Sequence, residues 1–193
     1  MNAQREIIYK QRRQVLDGEN INESILNMIK SLSEEVVLTY ATGDGEINIE
    51  ALNTEIKNTF GIDITDFVKQ SKDSNEIVTK LQEVALEKYS EKEKEIGSEQ
   101  LRELERVVML KVVDQKWMDH IDAMDELKNG IGLRAYGQQD PVVKYRIEGM
   151  DMFDEMVYSI KQDVVKLLMN LRKQEDVKRE EAPKKKKKLE VMN

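Results

Sequence analysis

The chain has no cysteine, which excludes disulfides, a thiolate nucleophile and a cysteine-ligated zinc site. It has one histidine, His120, so a helical His-Glu-x-x-His metal pair cannot be assembled. A Ser-His-Asp triad would have to rest on that same residue. His120 sits in the run Trp117-Met118-Asp119-His120-Ile121, where a helix-surface or packed histidine is the expected state. No glycine is followed by lysine, so the phosphate-binding G-x-x-x-x-G-K-[ST] loop is absent. No apolar run approaches the ~20 residues that span a bilayer. The start, Met1-Asn2-Ala3-Gln4-Arg5-Glu6, lacks the basic and apolar regions of a signal peptide. These absences predict a cytoplasmic, soluble chain with no catalytic residue, no metal and no cofactor of its own.

Helix breakers are also scarce, with two prolines and nine glycines in 193 residues. Apolar residues make up 39% and charged residues 36%, a load that suits long helices with one buried stripe and solvated flanks. The expected fold class is all-α. Formal net charge is −7, unevenly spread. Residues 172–193 carry nine Lys or Arg and five Asp or Glu, a net of +4, leaving about −11 on the rest. An acidic body argues against a dedicated nucleic-acid binder. The run Lys184 to Lys188 remains able to touch an anionic lipid surface.

Periodicity divides the chain into four parts. Residues 1–17 read as a helix with Ile7, Ile8, Gln11 and Val15 on one stripe. It begins without a cap, which predicts a chain cut from something longer. Residues 18–97 form a helical unit. In it Ile25, Met28, Ile29, Leu32, Val36 and Val37 share a face, Thr42-Gly43-Asp44-Gly45 breaks the pattern, and a short helix stops at Gly61. Thr65 or Asp66 is expected to cap a further turn, and Ser74 or Asn75 to start a helix towards Ile96.

Residues 98–172 open at Ser98, a plausible N-cap, with Leu101 the first buried residue. The stripe Val107, Leu110, Asp114, Trp117, Ile121, Met124, Lys128 and Ile131 predicts a helix to about Asn129, roughly 50 Å long at 1.5 Å per residue. Gly130 to Gln139 reads as a loop. Asp140-Pro141 restarts a helix, with Asp as cap and Pro at its first position. Its stripe is Phe153, Met156, Ile160, Val164, Leu167 and Leu171, and the two helices form a long hairpin. Residues 173–193 are expected to be a disordered basic tail.

Two weak patterns carry no chemistry. Asp44-Gly45-Glu46-Ile47 looks like part of a calcium loop, but Tyr40 and Thr42 stand where carboxylates belong and Ala51 replaces the closing Glu. Asp119, Asp122, Asp125 and Glu126 read as a solvated acidic face. The hairpin connection is more informative. It holds Gly130, Gly132 and Gly137 around Tyr136, where a simple turn needs two to five residues. An exposed tyrosine offers a flat apolar face and a hydrogen-bonding end, suited to gripping chains of varied sequence. The alternative is that Tyr136 packs back on its own hairpin.

Trp117-Met118-Asp119-His120, Met124-Asp125-Glu126-Leu127, Gly130-Ile131, Leu133-Arg134, Tyr136, Gln138, Asp140-Pro141 and Tyr145 together resemble the SecA family, the motor ATPases of bacterial protein export. Met1 to Tyr9, with Arg12-Arg13 and Val15-Leu16, resembles a second SecA signature. The resemblance covers residues 1 to about 172. It implies the end of a long scaffold helix at 1–17, a helical wing domain at 18–97, and a scaffold segment at 98–172 whose hairpin is the two-helix finger.

In that family the finger enters the cytoplasmic mouth of the SecY channel, its tip contacts the translocating polypeptide, and the region restrains the ATPase. Tyr136 occupies the tip position, with Leu133, Arg134 and Gln138 around it, and Trp117, Asp140 and Pro141 are structural. The implied partners are SecY, unfolded preprotein and the SecA motor domains. The implied location is peripheral, at the cytoplasmic face of the bacterial plasma membrane. ATP and Mg serve the full-length family. The motor and preprotein-crosslinking domains are expected to lie outside this chain, so no ATPase activity is expected of it. Exposed surfaces left by their absence predict self-association, a homodimer at its simplest. Ala135 stands where the family often has Gly, and Lys144 where it often has an acid. The competing reading is a non-catalytic helical scaffold or adaptor.

Overall fold

The computed structural model describes residues 2–17, 21–41, 47–70, 73–134 and 140–171; side chains at 69–70 and 132–134 are not described. The Thr42–Glu46 stretch of the calcium-like pattern, the hairpin connection at 135–139 and the basic tail lie outside this set. The described residues form seven helices: α1 (Asn2–Leu16), α2 (Ile21–Tyr40), α3 (Ile49–Phe60), α4 (Thr65–Gln70), α5 (Ser74–Ile96), α6 (Ser98–Arg134) and α7 (Pro141–Met169). Among them there is no strand, only an isolated antiparallel bridge between Ala41 and Ile47.

Local chemistry sets the helix ends. Asn48 caps α3 through a bond from the Ala51 amide, and Gly61 ends it in the left-handed region at φ 63°. Asp63 accepts from the Thr65 amide ahead of α4, a role the sequence had placed on Thr65 or Asp66. α5 starts at Ser74, as expected, with Asp73 as its cap. Gly97 is the single residue between α5 and α6, and its carbonyl accepts the first α6 bond, from Leu101. Asp140 caps α7 from the Val142 amide at 2.8 Å, with Pro141 in the first turn.

α6 and α7 form the hairpin. They run antiparallel, since Lys116 of α6 pairs with Asp163 at 2.8 Å while Met124, further along α6, meets Gly149, earlier in α7. α6 is 37 residues, about 55 Å, and continues to Arg134, into the region expected to be loop. Gly130 is helical there, and Ile131 is still buried. A glycine in a helix costs only ~1 kcal/mol, which the packing of Ile131 offsets.

The stripe on α6 also differs from the expected one. The buried positions are Leu101, Glu105, Met109, Val112, Val113, Trp117, His120, Met124 and Ile131, whereas Val107 is exposed and Asp114 and Lys128 lie off the packed face. The cause is that α6 packs against α1, α2 and α5 as well as α7, so no single stripe describes it. On α1, Ile8 and Val15 are buried and Ile7 and Gln11 face solvent; on α7, Leu168 replaces Leu167 in the core.

One continuous buried cluster runs from Ile8 to Met169 and includes side chains from α1 to α7. Polar contacts reinforce it. Lys161 pairs with Glu35, and Gln162 donates to Glu55 at 2.8 Å. The C-terminal ends of α3 and α7 converge on two lysines of α5. Lys88 Nζ donates to the carbonyls of Phe60 and Gly61 at 2.7 Å each, and Lys92 Nζ to Leu171 O at 2.6 Å. Ammonium groups there meet the last free carbonyls and the negative dipole ends of both helices.

Candidate functional site

The end of the hairpin farthest from α3 and α5 is built by the last turns of α6 and the first turns of α7. Of the residues the sequence singles out, Tyr136 and Gln138 lie outside the described residues. Leu133 and Arg134 belong to the last helical turn of α6, with side chains not described. Asp140 and Pro141 start α7 as a capped helix. The Asp140 bond to the Val142 amide fixes where the chain re-enters regular structure.

Trp117 lies behind this end, in the middle of α6. It is buried, with its ring centroid 5.5 Å from that of His120, which in turn meets Phe153 of α7 edge-on at 5.7 Å. Trp117 Nε1 is buried and takes no hydrogen bond among the described residues. His120 is only 4% exposed, and its Nε2 lies 3.3 Å from Gln4 Oε1 of α1. An amide oxygen only accepts, so the neutral ring carries its proton on Nε2. Gln4 Nε2 donates onward to Gly149 O at 2.9 Å. This relay ties α1, α6 and α7 at one level. Burial pushes the His120 pKa below its ordinary 6.5. A Cβ on Gly149 would lie 2.7 Å from Met124 Cε, so the glycine permits the close approach of the two long helices.

A second polar cluster, which the sequence reading missed, holds the α5–α6 elbow. Glu105 is fully buried and accepts from the Tyr89 hydroxyl and from Arg102; Arg102 also pairs with Glu93, and the Asn22 amide joins the group. Burial, then the Glu105 carboxylate, holds the Tyr89 phenol well above its usual range. The available signal was Glu105 four residues after Leu101, at helical spacing on the same face.

Two surfaces remain. A cavity of about 380 Å³ opens between α1, α2, α6 and α7, with Val15, Ile21, Met109 and Val113 on its floor and Gln11, Glu23 and Asn27 at its rim. The first turns of α7 expose Val142, Val143, Ile147 and Met150. Among the described residues, no group of three His, Cys, Asp or Glu is gathered to hold a metal ion, and no helix is long and apolar enough to cross a membrane. The arrangement can pack, present and be held.

The model of the SecA Wing and Scaffold domain matches residues 1–172. The chain belongs to the SecA family. Among curated SecA proteins, it is 44% identical over 188 residues to the protein translocase subunit SecA of Alkaliphilus oremlandii, covering 95% of this chain and 21% of that protein. It is 47% identical over 175 residues to SecA 1 of Clostridioides difficile, covering 89% and 19%. It is 48% identical over 193 residues to SecA of Clostridium botulinum strain Loch Maree, covering 95% and 23%. The chain thus spans about a fifth of the length of these SecA relatives. The match spans the residues of the relay at His120, of the elbow at Glu105 and of α6 and α7.

Proposed function

We propose that this chain serves as the wing and scaffold of a SecA-type protein translocase, with residues 1–17 and 98–172 as scaffold and 18–97 as wing. The hairpin acts as the finger. Leu133, Arg134, Tyr136 and Gln138 contact the translocating polypeptide at the mouth of the SecY channel, at the cytoplasmic face of the membrane. Trp117, Asp140 and Pro141 hold the hairpin's shape. The chain binds and restrains motor domains that use ATP and Mg, and hydrolyses no ATP itself. The observation that carries this reading is the family match across residues 1–172, which includes the hairpin. Supporting it is the capped restart at Asp140, which fixes where α7 begins.

The test places a photo-crosslinking amino acid at 136, and separately at exposed Met118 on α6, in a motor-bearing SecA that carries this wing and scaffold. Crosslinks from 136 to a stalled preprotein and to SecY, with none from 118, are expected. Equal labelling from both positions refutes the finger assignment.

A further inference from the structure

The cavity between α1, α2, α6 and α7 takes no part in the hairpin's far end or in either polar cluster. Its volume of about 380 Å³ falls within the ~300–1,000 Å³ of small-molecule pockets. Val15, Ile21, Met109 and Val113 form a recessed floor, each at most 9% exposed. Gln11, Gln14, Glu23, Ser24 and Asn27 stand at the rim as exposed side chains, and none of them is bonded to another described residue. Elsewhere in the chain such groups are used: Ser33, Thr39, Thr54 and Thr79 each bond back to a carbonyl one turn earlier. An apolar floor below a few free donors and acceptors is the composition of a site for an amphipathic small molecule.

Charge selects the kind of molecule. Two charged side chains line the cavity, Arg12 and Glu23. Arg12 is held by Asp114, with Nε to Oδ1 at 2.8 Å and Nη2 to Oδ2 at 3.2 Å, so its charge is matched. Glu23 keeps an unmatched carboxylate among the described residues. Two helix ends also meet here, and they cancel. The last turn of α1 brings about half a negative elementary charge and the first turn of α2 about half a positive one. The field left at the rim is that of Glu23, and it favours a cation.

We propose that this cavity binds a small organic cation, an amine carried on an apolar body of about one phenyl ring. The body seats on Val15, Ile21, Met109 and Val113, and the ammonium meets Glu23 and the amide oxygens of the rim. The lining comes from α1, from the start of α2 and from both hairpin helices. A bound molecule therefore ties α2 to α1 and the hairpin, and by mass action raises the temperature at which they separate.

The test titrates the full chain at neutral pH with three matched probes: phenethylamine, a cation; phenethyl alcohol, uncharged; and hydrocinnamate, an anion. Methyl NMR follows the floor residues, with buried Ile56 of α3 and exposed Val143 of α7 as controls. Phenethylamine should shift the Val15, Ile21, Met109 and Val113 signals along one saturable curve, leave both controls in place and raise the melting temperature. The alcohol should bind at least three-fold more weakly, and hydrocinnamate at least ten-fold. Glu23→Gln should bring amine and alcohol to within two-fold of each other. Ser24→Trp, which places an indole at the exposed mouth, should remove the response to all three probes with helical circular dichroism unchanged. The proposal is overturned if the floor signals do not saturate or move no more than Val143. It is overturned equally if hydrocinnamate binds as tightly as the amine, or if Glu23→Gln keeps the preference for the amine. Binding that survives Ser24→Trp places the probe elsewhere and also overturns it.

Discussion

Replacing Glu105 with alanine should be among the most costly single changes in this chain. The carboxylate is fully buried and accepts from the Tyr89 hydroxyl and the Arg102 guanidinium. Removing one member of a buried, hydrogen-bonded ion pair costs about 3–5 kcal/mol, because the partner is left without compensation. Here the cost falls near the lower end, about 3 kcal/mol, since Arg102 keeps Glu93 and retains some access to solvent. That is a large share of the ~5–15 kcal/mol that holds a typical domain together. Tyr89→Phe removes one donor and should cost about 1 kcal/mol. Glu105→Gln keeps an oxygen at the one position that both donors reach but removes the charge facing Arg102, and should fall between the two. Urea denaturation at neutral pH reads all three as midpoint shifts at constant slope. The combination of Tyr89→Phe with Glu105→Gln should deviate from additivity by at least ~0.5 kcal/mol, as contacting residues do. A cost below ~1 kcal/mol for Glu105→Ala, or strict additivity in the pair, refutes the view that this cluster holds the α5–α6 elbow.

Burial lowers the His120 pKa, so between its folded value and about 6.5 the unfolded chain binds more protons than the folded one. The stability this residue contributes is therefore complete above pH ~6.5 and lost as pH falls; melting temperature from pH 7.5 to 5.5 should drop more steeply for the native chain than for His120→Gln, and parallel slopes would count against it. Trp117→Ala removes a buried ring from the centre of the hairpin and should cost about 3–5 kcal/mol in denaturant, a negligible shift showing the indole to be dispensable. Gly61→Ala forces a side chain into φ 63° with its Cβ 2.6 Å from Lys88 Nζ, so a loss of about 1–2 kcal/mol is expected, and an unchanged melting temperature would contradict the strain. Tyr136→Ala should leave stability within about 0.5 kcal/mol, as at a surface site, while slowing export more than ATP hydrolysis in a motor-bearing SecA; unfolding with normal transport per folded molecule would make the tyrosine a packing residue.

The elements most legible in the sequence are those fixed by local chemistry. Asp140-Pro141, Gly61 and the α2 face from Ile25 to Val37 each carry a cap, a stop or an unmixed apolar stripe. α6 resisted because its burial is decided by four neighbours. Glu105 drew no notice because a carboxylate on a helix ordinarily faces water, and His120 fitted a surface or a packed place equally; both are buried by tertiary partners from α1, α2 and α5. Three glycines made residues 130–139 look like one loop, but nothing approaches Gly130, and Ile131 keeps the helix going. The site itself was legible only through the SecA resemblance. A tyrosine between glycines fits both a grip and a fold-back, and no spacing rule separates them.

The meeting of two helix ends on Lys88 and Lys92 has a mechanical consequence. α7 is anchored at its C-terminal end, through Lys92 to Leu171 O, Asn170 to Thr59 O and Gln162 to Glu55, while beyond Gly149 its first turns meet no helix but α6 among the bonds described. Among the described residues the hairpin is thus a cantilever, with its bonds to α3 and α5 gathered at the root. A force applied at the far end arrives at the root as a torque on α3 and α5. Softening the root with Lys92→Met should therefore loosen the far end without touching it.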